Sequence, residues 1–100
     1  MLTWLAGLFS ASPTEQVRVL EQRAPTFEER LQQIVDQSRG FREKSQAELD
    51  EFIDDVDSAL GILERAIDVI DREELEARAV RVRTRLRKAR TRAVNRRSVA

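Results

Sequence analysis

One hundred residues, 41% apolar and 36% charged, with five aromatics, three glycines and two prolines, describe one small domain of long helices rather than a broad mixed core. Without cysteine, disulfides and thiolate metal sites are excluded. Eighteen basic and 18 acidic residues cancel to zero formal charge, so the chain as a whole is not a basic nucleic-acid binder.

The first segment, residues 1–12, is uncharged and begins MLTWLAGLF. Trp4, Leu5, Leu8 and Phe9 cluster on one side of a short helix, with Met1 and Leu2 nearby. The run falls far short of the roughly 20 residues that cross a bilayer, and no basic region precedes it as in a signal peptide. It is expected to be a hydrophobic anchor. Its candidate contacts are a partner or subunit groove, the chain's own helices, or a membrane interface.

Residues 13–40 read as short amphipathic helices. Ser12-Pro13-Thr14-Glu15 is a capping box with proline at the first helical position, followed by Val17 and Leu20. Ala24-Pro25 is expected to stop this helix. A second start, Thr26-Phe27-Glu28-Glu29, then leads a helix with Phe27, Leu31, Ile34 and Val35 on one side. Gly40 is expected to end it, with Phe41 packing back.

Residues 41–76 hold the strongest pattern. Leu49, Ile53, Val56, Leu60, Leu63, Ile67 and Ile70 alternate steps of four and three, the aliphatic a and d seam of a heptad helix. Between Glu43 and Glu76 there are thirteen acids against Lys44, Arg65 and Arg72, so the outer positions are acidic. Such a seam needs another helix, and this one is expected to form a homo-oligomer or to dock on another helical protein.

Residues 77–100 reverse the charge, with ten bases and no acid. Leu75, Ala79, Val82, Leu86, Ala89 and Ala93 continue the stepping in a frame displaced by one residue. Asp71-Arg72-Glu73-Glu74 is a capping signal at that displacement, but no glycine or proline lies near it. A continuous or gently bent helix is therefore expected; a turn there would lay the basic helix on the acidic one. Val80 to Arg87 also alternates with period two like a strand, but its alanine and arginine content and the seam reaching Ala93 favour helix. The expected fold is all-α. It is an elongated helical hairpin or coiled-coil-like bundle with one long central-to-C-terminal helix and short N-terminal helices.

Catalytic chemistry is not legible. His and Tyr are absent, and no serine has a base partner at a catalytic spacing. Asp55-Val56-Asp57 opens like a calcium loop, yet Leu60 stands where glycine is required and Ala66 where the bidentate glutamate belongs. The three glycines are isolated, so no phosphate loop exists. No catalytic, cofactor or metal residues are expected, and the chain is not expected to be an enzyme.

The arginine-rich end supplies the remaining chemistry. Arg81, Arg83, Arg85, Arg87, Lys88, Arg90 and Arg92 are candidates for an anionic surface: acidic protein, nucleic-acid phosphates or anionic lipid. An acidic coiled coil between a hydrophobic anchor and a basic helix is similar in layout to small assembly or scaffolding proteins of virus particles. The expected function is a non-catalytic structural or assembly protein linking a hydrophobic site to a negatively charged surface. The alternatives are a small nucleic-acid-binding protein dimerised by a coiled coil, and a peripheral membrane adaptor. The expected location is the cytoplasm or a macromolecular assembly rather than the secreted space.

Overall fold

A computed structural model describes residues 2–37 and 42–99. The expected roles of Gly40 and Phe41, and Met1 beside the first helix, lie outside them. The described residues form four helices and no strand: α1 (Thr3–Leu8), α2 (Pro13–Gln37), α3 (Arg42–Val69) and α4 (Glu73–Val99). The three long helices each pack on the other two. At 1.5 Å per residue they are about 40 Å long, so the 47 × 23 × 18 Å molecule is a rod one helix in length.

The single long central-to-C-terminal helix is not what forms. The chain reverses between α3 and α4 within Ile70, Asp71 and Arg72. The Ile70 amide still donates to the Ala66 carbonyl at 3.1 Å, and the Arg72 carbonyl accepts from Glu76 at 2.9 Å. The physical reason is the pair of apolar edges. A continuous helix would leave the edges of both halves facing water, whereas folding back buries each against the other and against α2. Charge favours the restart as well. Glu73, Glu74 and Glu76 occupy the first turn of α4 and Arg96 and Arg97 its last, each sign at the favourable end of the helix dipole.

The second departure is Pro25, which was expected to separate two helices but lies inside α2. Its ring is exposed, while Ala24 and Phe27 on either side are 0% and 2% accessible. The capping signal at Thr26 is consequently mid-helix and solvent-facing. The cap at Ser12 forms as expected, its hydroxyl accepting from the Glu15 amide at 3.3 Å.

The core explains why three helices close together. α3 buries Leu49, Val56, Leu60 and Leu63 from the heptad seam, and Ile53, Ile67 and Ile70 pack partly buried beside them. It also buries a second row, Phe52, Ala59, Ile62 and Ala66. Two rows make a stripe too wide for one partner helix, so α3 takes two neighbours. The seam assigned to oligomerisation is thus covered by α2 and α4 of the same chain. An oligomer built on that edge would have to open the bundle.

Pro25 withholds an amide from the Glu21 carbonyl, a defect worth up to about 3 kcal/mol in a helix interior. Pro25→Ala should therefore stabilise the fold by about 1–3 kcal/mol in urea denaturation followed by circular dichroism. An unchanged or lowered midpoint would show that the bundle relies on the proline.

Candidate anion-binding face

The ten bases of the C-terminal block divide by direction. Arg78 donates to Glu21 at 2.7 Å, Arg85 pairs with Glu28, and Arg92 donates to the Gln32 amide oxygen at 2.7 Å. The first two pairs share a separation of 57 residues, which shows α4 running parallel to α2 at constant register. On the other flank, Arg97, Arg90 and Arg87 pair with Asp50, Asp57 and Glu64 of α3. The α4 numbers fall as the α3 numbers rise, so this pair of helices is antiparallel. Five of the ten thus contact the chain's own acids.

These pairs lie at the surface, where each contributes at most about 1 kcal/mol. Recurring at intervals of one to two turns along α4, they fix orientation and register instead. The pair of different character is Arg30 with Asp55. Asp55 is only 3% accessible, and Arg30 donates to it at 2.7 Å while lying 5.5 Å from the centre of the Phe52 ring. A carboxylate so buried needs that partner.

The N-terminal segment is largely absorbed into the core. Leu5 and Leu8 are buried, and Trp4 is half-buried with its ring edge-to-face to Phe27 at 6.0 Å. Arg23 covers the outer face of the indole at 4.8 Å. α1 therefore sits on α2 and α3 of its own chain. Of the four anchor residues Phe9 alone is exposed, at 46%, and it borders a groove shared with Ala11, Ile62 and Val69.

What remains is the outer line of α4. An open depression there is lined by Thr84, Arg87, Lys88, Thr91, Arg92 and Asn95. Arg81 continues the line by one turn; Lys88 and Arg92 also border the α2–α4 groove beside Glu28 and Arg85. Among the described residues Arg83 and Lys88 have no ion-pair partner, and the partner of Arg92 is neutral. Of the seven cations expected to meet an anion, Arg85, Arg87 and Arg90 are therefore internally paired, and the structure brings Arg81, Lys88 and Arg92 together on one outward face. Sequence reasoning passed over Thr84, Thr91 and Asn95, which share the face of Lys88 at spacings of four, three and seven residues.

No family model, curated protein or solved structure matches the chain. Among the described residues no helix is long and apolar enough to cross a membrane.

The α2–α4 contact has a pH signature. The hydrogen bonds from Arg78 hold the Glu21 carboxyl below its ordinary value of 4.5; burial opposes this, and the charges of Arg78 and Arg81 add to it. A carboxylate depressed in the folded state gives stability that is present above the ordinary value and is lost as pH falls through the folded one. Wild type should lose stability between about pH 5 and pH 3, and Arg78→Gln should flatten that dependence. Identical pH profiles in urea titrations of the two proteins would mean that this pair does not hold in solution.

Proposed function

We propose that the protein is a non-catalytic helical docking module that places the outer face of α4 against a negatively charged surface within a larger assembly. The observation carrying this reading is the excess of positive charge on that face after the internal pairs are counted. Arg81, Lys88 and Arg92 lie on a helix with no acidic residue after Glu76. The neighbouring acids Glu21 and Glu28 are already bonded to Arg78 and Arg85.

The groove at Phe9 and Val69, whose lining also includes Gln16 and Arg65 with its guanidinium 5.8 Å from the Phe9 ring centre, is the second element. It lies where α2 begins and α3 ends, roughly 15–20 Å along the rod from Lys88 and Arg92 by helix rise. A module with an apolar contact near one end and a cationic contact towards the other suits the bridging role expected of a structural component. Because the heptad edge is buried, any self-association in this reading uses outer surfaces and leaves the bundle intact.

Retention on a sulfated-polysaccharide matrix tests the cationic face. At about 50 mM salt, where charge contacts are weakly screened, the wild type should be retained. Arg81→Glu combined with Lys88→Glu and Arg92→Glu should pass through, while Glu51→Lys with Asp54→Lys on α3 should not release the chain. Wild type in the flow-through would contradict the proposal.

A further inference from the structure

The chemistry of the α4 face narrows the kind of anion it fits. Along its outer line run Ala77, Arg81, Thr84, Lys88, Thr91 and Asn95, all exposed, with Arg92 at the edge. No side chain on this line is apolar and larger than alanine. Protein–protein contacts draw most of their energy from buried aromatic and aliphatic anchors and are depleted in lysine. A face of this composition gives an acidic protein nothing to anchor on beyond screened charge.

Phosphodiester backbones need less. Their oxygens take charge-assisted bonds from Arg and Lys and ordinary hydrogen bonds from Thr and Asn, and such contacts make up most of the bonding in protein–nucleic acid interfaces. Here hydroxyls and an amide alternate with cations at steps of three and four residues, about 4.5–6 Å along the axis. The nearest carboxylates on α2 are already neutralised by arginine. The acidic outer residues of α3, such as Asp54 and Asp68, lie on a different helix from this line. Stacking on unpaired bases has nothing to use on α4, which holds no aromatic; the last aromatic of the chain is Phe52, buried at 0% accessibility.

From this juxtaposition we propose that the outer face of α4 binds the phosphate backbone of duplex nucleic acid, without reading its sequence. The inference rests on the docking reading above and names its partner. Arg81, Lys88 and Arg92 are the neutralising groups, and Thr91 and Asn95 are hydrogen-bond donors between them, the Thr84 hydroxyl donating instead to the Val80 carbonyl. Three neutralised phosphates predict a log–log salt slope near −2.7, a loss of about 40-fold in affinity between 50 and 200 mM salt.

Fluorescence anisotropy with a labelled DNA duplex of arbitrary sequence tests it, using the full chain. Wild type should bind with that slope. Lys88→Ala combined with Arg92→Ala should weaken binding and bring the slope to about −0.9, while Arg72→Ala, at the turn and away from the face, should change neither. Circular dichroism verifies that the variants stay folded. Polyglutamate at equal charge concentration is the decisive competitor. If it displaces the duplex as readily as unlabelled duplex does, the face is a general cationic docking surface and the nucleic-acid assignment falls while the docking function stands. If a single strand binds more tightly than the duplex, the duplex assignment falls. If neither duplex nor polyglutamate binds at 50 mM salt, both proposals fall.

Discussion

The structure depends on the double apolar edge of α3. A helix that buries Leu49, Phe52, Val56, Ala59, Leu63 and Ala66 along its centre, with Leu60 on one flank and Ile62 on the other, cannot be covered by a single partner. α2 and α4 share the cover, and α4 can take its part only because the chain reverses at Ile70–Arg72. α1 then lies on α2 and α3, with Trp4 against Phe27 and Phe27 against Phe52 at 6.2 Å. Each later feature follows from this closure, including which arginines face inward and which remain outside.

Charge plays a different part from hydrophobic burial. The opposed blocks of the sequence become two ladders, one between α4 and α2 and one between α4 and α3. Their rungs are exposed and individually weak. Their regular spacing nevertheless penalises a slipped register, because a shift of one turn would set several rungs against wrong partners at once. The same ladders decide the surface. By binding the inward-leaning arginines they leave Arg81, Lys88 and Arg92, on the outward line of α4, without an ion pair among the described residues.

Much of this was legible in the residues, and the misreadings have physical causes. The helical class and the α3 seam follow from period alone. In α2 two signals conflicted. Val17, Leu20, Ala24, Phe27, Leu31 and Ile34 step by three and four straight through Pro25, and tertiary packing on both sides of the proline outweighs one lost amide bond. The turn at Asp71 had a capping signal and a frame displacement, but no glycine or proline to mark it. The second row on α3 was the sign that its partners lie within the chain. An aliphatic seam read alone suggests a coiled coil, whereas the same seam with Phe52 and Ile62 beside it requires a bundle. The anionic face was found only as a list of arginines. Which of them are free depends on Glu21, Glu28, Asp57 and Glu64, whose positions across the helix contacts no local pattern reveals.

The closure of α4 on α3 is best tested by a distance. The chain has no native cysteine, so spin labels can be attached at exposed Ala47 on α3 and Asn95 on α4 through Ala47→Cys and Asn95→Cys. Dilution with unlabelled chain isolates the intramolecular signal in pulsed electron resonance. Packed helices with axes about 8–10 Å apart place the labels within about 25 Å of each other. A continuous helix would set them about 70 Å apart, and that separation would contradict the account.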